Sequence, residues 1–596
     1  MKRIKHFFII GFMAIFPGIT GCESDEEFLR EDPETFYTPE NAFSTSDQVD
    51  QVLVSIYSHI RSLWANPKEA KFIYVFRGNG TDMFDVASIR RTSSFNNYGL
   101  INPDSDVFYE IYTTWYYVIA RANLAIYAAE LPQITWASAE EKAYAMAQAR
   151  FFRAFAYRNL AELFGGVPVV TEITTVPRYD YKRSTRVETY QFAIDEMEAV
   201  EDDFPETTAE GGRLVRGAVQ HNLCELYLAL GTQLDTEGKS GEAAAAYSRS
   251  IDYGNKVIDG GIYKLMNERF GTRKAATFIT TNVYKGGIAS APVDTLNQHT
   301  NYYWDLFQEG NVNYQEGNKE SIWALQVDYK AYKADDDKSV LIYPRSYGAV
   351  FRNGGKKHLT GTMEDVGGRG ICNVMPTMYT RDSIYSGVWA EDMRNSDVVF
   401  RRRFKGNVAS SSYYRKVVPW SAIYNGSTDA ATNLSAKSMC YPLSCKIVTD
   451  KYTGLEDGEN MSNLFRDDYF IRLPETILLR AEAKQRSGDK AGAAADINLL
   501  RDRAKCTRRV TASDMDDQFG MILDERAREL VYEECRWNTL LRMGGTIAVD
   551  RIRKYAYWPE ASATLTFDFN LWPIPQSVID TNKDEELDQN PGWMNR

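Results

Sequence analysis

Residues 475–504 read ETILLRAEAKQRSGDKAGAAADINLLRDRA. The first stretch, Glu475 to Gln485, spaces its apolar residues as one face of a helix. Ser487-Gly488-Asp489 is a turn, since glycine tolerates the backbone angles that end a helix. Lys490 to Ala504 then opens with four small residues, Ala491-Gly492-Ala493-Ala494, which let one helix lie close against another. Two helices joined by a glycine-centred turn cannot bury their apolar faces alone. They need further pairs stacked beside them.

The pattern recurs upstream. Tyr190 to Phe204 and Gly217 to Gly231 form a helical pair, followed by Ser240 to Ile258, which opens on Gly241-Glu242-Ala243-Ala244. Helix, glycine turn and alanine-rich helix resemble the tetratricopeptide unit, although its strict 34-residue consensus with Trp and Pro is absent. Earlier helices are expected over 40–64, 112–129 and 140–164. The last of these places Ala145, Ala149, Phe152, Ala156, Leu160 and Leu163 in steps of three and four. Gly165-Gly166 stops it, and Val167-Pro168-Val169-Val170 is an extended exit, because proline disfavours the helical conformation just before it. Between about 270 and 450 the composition shifts to Gly, Asn, Ser and Tyr in irregular order. Loops and a few strands are expected there, including the alternation Glu320 to Val327 with Trp323 in the core. The chain therefore divides into a helical region at 38–269, a loop-rich insertion at 270–450 and a second helical region at 451–596.

The N-terminus carries a different signal. Lys2, Arg3 and Lys5 precede an apolar run, Phe7 to Phe16, that is too short to span a bilayer, and Pro17-Gly18 breaks it. Ile19-Thr20-Gly21-Cys22 resembles a bacterial lipobox, which implies cleavage before Cys22 and acylation of its thiol. Residues 23–37 then form an acidic tether, with Glu23 to Glu27 solvated. In surface lipoproteins that this arrangement resembles, such an acidic run also directs export to the outer leaflet. The formal charge is −12. Removing 1–22 takes away three cations and no anion, so no basic stripe remains for nucleic acid. Beyond Cys22 there are six cysteines. Cys440 and Cys445 could close a small loop or remain buried thiols.

Several blocks together carry a family resemblance. Ala149 to Tyr157 is followed by Leu163-Phe164-Gly165-Gly166-Val167-Pro168. Arg472-Leu473-Pro474-Glu475 leads to Leu478 to Ala483, and Asn498 to Ala504 comes next. Then follow Glu525 to Leu530, Glu533, Arg536-Trp537, Leu540-Leu541-Arg542 and Gly544. The tail has Trp572-Pro573-Ile574-Pro575, Asn582 and Gln589-Asn590-Pro591-Gly592-Trp593. In this order they resemble the SusD/RagB family of nutrient-binding outer-membrane lipoproteins, weakest between 270 and 450. The resemblance implies a mainly α SusD-like fold with four tetratricopeptide-like repeats and a loop-rich insertion containing short strands. It also implies partnership with a SusC-type TonB-dependent transporter.

Catalytic signals are sparse. His59, His221, His299 and His358 are widely spaced, with no i, i+4 pair and no Cys-x-x-Cys, so no zinc pattern arises. Asn353 to Lys357 and Gly367 to Gly370 lack the strand-to-helix context of phosphate loops and read as turns. Glu525, Glu529 and Glu533 are four apart, and Arg526, Arg528 and Arg536 are expected to neutralise them. Binding fits better, since aromatic rings stack on sugar faces while amides and carboxylates take the hydroxyls. Trp115, Trp136 and Trp537 are expected in the core. The expected glycan contacts are Arg77, Asp82, Asn96, Asn97 and Tyr98 before the second helix, where the resemblance places ligand contacts, and Tyr303, Trp304, Trp389, Trp420 and Tyr424 in the insertion. The expected function is capture of oligosaccharides at the outer face of the outer membrane, without catalysis, cofactor or metal, and delivery to the transporter. Capture of peptides or glycoproteins by a RagB-like member is the alternative within the family, and a surface hydrolase the alternative outside it.

Overall fold

The computed structural model describes residues 38–596, apart from 40, 66–76, 88–93, 280–283, 286–287, 290–297, 335–338, 352–357, 360–366, 426–429, 460 and 595. Cys22, the leader, the acidic tether and the Asn353 to Lys357 turn lie outside the described residues. The helices that organise the fold are α1 (Ser46–Ala65), α2 (Asp106–Glu130), α3 (Ala139–Phe164), α4 (Arg186–Glu198), α5 (Arg216–Thr236), α6 (Ser240–Ile258), α7 (Trp420–Tyr424), α8 (Leu473–Arg486), α9 (Lys490–Arg503), α10 (Gly520–Leu530), α11 (Arg536–Met543), α12 (Ile547–Tyr555) and α13 (Gln576–Thr581).

Local chemistry sets their ends. Ser138 caps α3 by accepting from the Glu141 amide at 3.1 Å, and Thr185 with Glu188 makes a reciprocal capping box on α4. Gly165, at φ 79°, ends α3. Gly166 is glycine for a second reason: a Cβ there would sit 1.9 Å from the Ser184 carbonyl oxygen. The exit of α3 and the C-terminal tail, far apart in sequence, meet at this point. The Leu163 carbonyl accepts from the Trp572 amide at 2.7 Å, and the Phe164 carbonyl accepts from the Asn590 side-chain amide at 2.8 Å. Carbonyls that every helix leaves unpaired at its end are thus satisfied by the tail. Around this cap Trp537, Trp572 and Trp593 are all buried and pack with Phe108 and Phe164.

Successive helices stack, α2 on α3, α3 on α4, α4 on α5, α5 on α6 and α8 on α9. The expected helix–turn–helix pairs are present, with Gly488 at φ 85° between α8 and α9. The two helical regions are continuous with each other, because α8 packs on α6 and α11 on α3. Gly254 of α6 permits that approach, its missing Cβ facing the Arg480 side chain at 3.1 Å. Residues 270–450 contain two-residue strands and short helices, the longest Ala430–Met439. Strand β1 (Phe84–Asp85) pairs antiparallel with β3 (Met375–Pro376). Strand β2 (Ser321–Leu325) pairs antiparallel with β4 (Asp468–Arg472) and carries Trp323 into a cage of Phe151, Phe155 and Phe470. Trp115 and Trp537 are likewise in the core, whereas Trp136 is only half-buried. Cys440 and Cys445 are both buried and are not joined in a disulfide.

The neutralisation of Glu525, Glu529 and Glu533 differs from expectation. α10 stops at Leu530 and Tyr532 takes φ 66°, so Glu533 leaves the helix line. Arg528 pairs with Glu525, but Arg526 turns to Glu475 and Glu534, and Arg536 to Asp82 and Glu534. Glu529 is met instead by Arg394, Arg472 and Arg503, and Glu533 by Arg472 and Lys446. All these side chains except half-buried Glu475 are buried, and the cations come from separate segments that fold around the glutamates.

Candidate functional site

Six of the ten expected glycan contacts are buried and engaged by the fold. Arg77 donates to the Tyr343 hydroxyl at 2.6 Å and to the Tyr532 carbonyl. Asp82 accepts both arms of Arg536, at 2.9 and 2.7 Å, and Arg551 at 2.8 Å. Burial pushes its pKa up, and the two guanidiniums overcome this and hold it at about 2. Asn96 is buried. The Tyr98 hydroxyl donates to the Gly80 carbonyl at 2.6 Å. Tyr303 donates to the Glu529 carbonyl at 3.1 Å, and Trp304 packs under Arg273, 4.8 Å from its ring. The resemblance placed ligand contacts in this segment, but residues 77–82 are all buried. Asn97 is half-buried and accepts from the Gly99 amide at 3.1 Å as a local cap. Trp389 is half-buried with three cations about its ring, Arg501 and Arg528 at 4.5 Å and Arg508 at 5.6 Å.

Trp420 and Tyr424 remain at the surface and come together. They sit four apart on α7, which places them on one side of the helix. Their rings stack at 5.3 Å and 27°. Trp420 leans on buried Phe404, 5.9 Å away, so the pair is backed by the core yet stays half-exposed. Three further groups that the sequence did not single out extend it. Tyr557, half-buried, lies 5.8 Å from the Arg381 guanidinium, and burial raises both its hydroxyl and that of Tyr424, opposed in each case by Arg381. Two residues before Arg381 and Tyr557 respectively, buried Tyr379 and half-buried Tyr555 pack at 4.2 Å, with Arg551 4.8 and 4.6 Å from their centres. Exposed Met378 and the half-exposed Asp382 carboxylate, which accepts from Arg381 and Arg402 at 3.1 Å, border the group.

The support beneath this aromatic surface is ionic. Asp82 fixes Arg551, which lies across Tyr379 and Tyr555. Asp85 accepts the Tyr557 and Trp558 amides at 3.2 and 3.4 Å, and burial pushes its carboxyl up to about 7. Ring faces backed by a rigid core, with a carboxylate and guanidiniums at the border, suit a ligand that offers apolar faces and hydroxyls together. Among the described residues no cluster of three or more His, Cys, Asp or Glu is placed to hold a metal ion.

The fold is a stack of helical pairs carrying a loop-rich insertion. The family described as "SusD family" matches residues 319–593, and a second, described as "Starch-binding associating with outer membrane", matches 27–228. This chain belongs to the SusD/RagB family. It is 24% identical to SusD-like protein P25 of Formosa agariphila over 95% of both chains. Over 145 residues, 23% of this chain and 24% of the relative, it is 35% identical to the starch-binding protein SusD of Bacteroides thetaiotaomicron. Among solved structures, a SusD homologue from Bacteroides thetaiotaomicron superposes with a TM-score of 0.66 at 17% identity, covering 95% of this chain and all of that one. Surface glycan-binding protein A of the same organism, solved with laminarihexaose, gives 0.59 at 18% identity, covering 92% and 99%. The mainly helical SusD-like fold inferred from the ordered blocks is the fold observed.

Proposed function

We propose that this protein is a non-catalytic, cell-surface glycan-binding lipoprotein. In this reading it captures oligosaccharides on the Trp420–Tyr424–Tyr557 surface of its 270–450 insertion and neighbouring segments, and delivers them to a SusC-like TonB-dependent outer-membrane transporter. Acylated Cys22 tethers it to the outer membrane, facing the exterior. The observation that carries the reading is the stacked, half-exposed Trp420–Tyr424 pair, backed by Phe404 and bordered by Asp382 and Arg381. Support comes from one relative and one family described as starch-binding and from a similar fold solved with a glucan oligosaccharide. A delivery protein needs modest affinity, which a few stacking rings and a polar border supply.

The test is calorimetric titration of the purified chain with starch- and laminarin-derived oligosaccharides and, in parallel, with mixed peptides. An aromatic anchor is worth about 2 kcal/mol, so Trp420→Ala is expected to weaken oligosaccharide binding by roughly 30-fold with the thermal transition retained. Peptide binding without sugar binding would overturn the ligand class. Unchanged sugar binding in Trp420→Ala and Tyr424→Ala would overturn the site, and turnover of a bound glycan would overturn the non-catalytic reading.

A further inference from the structure

A cleft of about 530 Å³ opens along α2 and shares no lining residue with the aromatic surface described above. Tyr109, Tyr112, Tyr116 and Leu124 of α2 form one wall, and Pro168 and Val170 of the segment leaving α3 belong to another. The polar groups of these walls are largely spent within them. The Tyr116 hydroxyl donates to the Pro168 carbonyl at 2.6 Å, the Asn123 amide to the Val170 and Glu172 carbonyls at 3.1 Å each, and the Asn582 amide to the Tyr181 carbonyl at 2.9 Å. What the cleft offers is ring and methyl surface, including exposed Tyr109. Such a lining suits aromatic and aliphatic side chains better than a hydroxyl-rich sugar, whose oxygens would lose water without replacement.

One lip of the cleft is strongly acidic. Residues 576–588 supply Val578, Asn582 and Leu587 to the lining, and they carry Asp580, Asp584, Glu585, Glu586 and Asp588 against a single cation, Lys583. Lys182 reaches Glu585 at 3.8 Å, whereas Asp580, Asp584, Glu586 and Asp588 are exposed. Negative charge stands beside apolar surface. The occupant that fits is therefore apolar and cationic together, its side chains in the cleft and its charges on the lip.

This chain carries such a surface itself. Residues 404–418 double back on themselves: the Val418 amide donates to the Phe404 carbonyl and the Gly406 amide to the Lys416 carbonyl, both at 2.9 Å, and the Arg415 amide donates to the Gly406 carbonyl at 2.8 Å. The base of this loop is fixed, because Phe404 is buried and lies 5.9 Å from Trp420. Residues 405–417 hold three cations, Lys405, Arg415 and Lys416, and no carboxylate, in a protein whose formal charge is −12. Tyr414, Arg415, Lys416 and Val417 are consecutive and all exposed. Two large apolar side chains thus flank two cations on the loop, as an apolar cleft with an acidic lip requires.

We propose that copies of this protein associate through these two surfaces. The 405–417 loop of one copy seats Tyr414 and Val417 in the α2 cleft of a second, with Arg415 and Lys416 against the acidic lip at 580–588. The contact joins two different surfaces, so it either closes reciprocally into a pair or continues into a row. It needs no ligand and is independent of the glycan reading. Where that reading also holds, each linked copy brings its own Trp420–Tyr424 surface, and a polymeric glycan that spans two of them gains avidity without any new contact.

The test is sedimentation velocity of the purified full chain without sugar, in a series from about 1 μM to 1 mM. The parent is expected to associate as concentration rises. Ala120→Trp, at an exposed position of α2 that lines the cleft, fills it and is expected to weaken association at least tenfold. Lys416→Glu on the loop and Glu586→Lys on the lip are each expected to do the same with the thermal transition retained, since both residues are exposed. Lys416→Glu combined with Glu586→Lys is expected to recover to within about threefold of the parent, because the exchanged charges meet again. Association that Ala120→Trp leaves intact, or a double variant no better than its parts, would overturn the proposal. So would a parent that stays monomeric; if that parent binds a heptapeptide alternating Lys with Leu, the cleft belongs to another protein. Dissociation of a Trp420→Ala chain by added oligosaccharide would assign the cleft to a sugar instead.

Discussion

Replacing Glu529 with alanine is expected to lower the melting temperature by about 3–4 °C. Glu529 is fully buried and accepts Arg394 and Arg472 at 2.9 Å each, and Arg503 beside them. Burial pushes its carboxyl up, and Arg503, Arg472 and Arg394 together overcome this, holding it well below the usual carboxylate range. Truncating one member of a buried ionic group costs about 3–5 kcal/mol, because its partners stay buried without compensation. The cost does not multiply by three. Arg394 keeps Asp392 and Glu525, Arg472 keeps Glu320 and Glu533, and Arg503 keeps Glu320. Unfolding entropy of about 2.1 cal/mol/K per residue, over roughly 550 residues, is about 1.2 kcal/mol/K, so 3–5 kcal/mol becomes about 3–4 °C. Scanning calorimetry at pH 7 measures it, with Lys239→Ala as the comparison. Lys239 pairs with Glu237 in the open at 2.8 Å, and its loss is expected to move the transition by less than about 1 °C. A Glu529→Ala transition no lower than that of Lys239→Ala would refute the reasoning that this network is held by charge compensation.

The remaining predictions concern pH and one cap. A cavity of about 40 Å³ is bounded by Arg158, His221, Glu225, Glu475, Glu534 and Asn538. Burial, with Glu225 adding to it, pushes Glu162 and Glu475 up to about 7, and burial does the same to Asp85. Folded values above the unfolded carboxylate range of about 4 favour the folded state most below that range, and the benefit is lost as pH rises through about 7. His221 opposes them. Burial lowers it to about 3, so its contribution is present above about 6.5 and is lost as pH falls. Three carboxyls outweigh one imidazole, and the melting temperature is expected to be higher at pH 5.5 than at pH 8. Glu475→Gln should raise it more at pH 8 than at pH 5.5, and a flat profile in the parent would contradict the assignment. Asn590→Ala removes donors to the Phe164 and Trp572 carbonyls, which lie 2.8 and 2.7 Å away. Arg183 still donates to the Phe164 carbonyl at 3.1 Å, but leaving the Trp572 carbonyl without its donor costs about 1–3 kcal/mol, read as a lower denaturant midpoint with unchanged slope, and no change would contradict the cap.

What the sequence disclosed follows the range of the forces involved. Helix pairs such as α8–α9 were legible because apolar spacing and a glycine turn act over a few residues. The strand at Ser321–Leu325 was legible because alternation acts over two. Partners that meet through tertiary folding were not. Spacing along one segment offered Arg526 and Arg536 to the neighbouring glutamates, but the charges that reach Glu529 come from Arg394, Arg472 and Arg503, and no local rule links them. The candidate site divides in the same way. Trp420 and Tyr424 were legible only as aromatics of the loop-rich insertion, whereas Tyr555 and Tyr557 join the surface only because the end of α12 returns to the Met378–Arg381 turn. Asp82 shows why a residue can be rightly noticed and wrongly placed. The family resemblance placed it among ligand contacts before the second helix, yet its carboxylate is spent on Arg536 and Arg551, and Arg551 in turn spans Tyr379 and Tyr555. The loop before α2 is therefore tied to the aromatic surface through a buried ion pair, so the rings are set by the folded core before any ligand arrives.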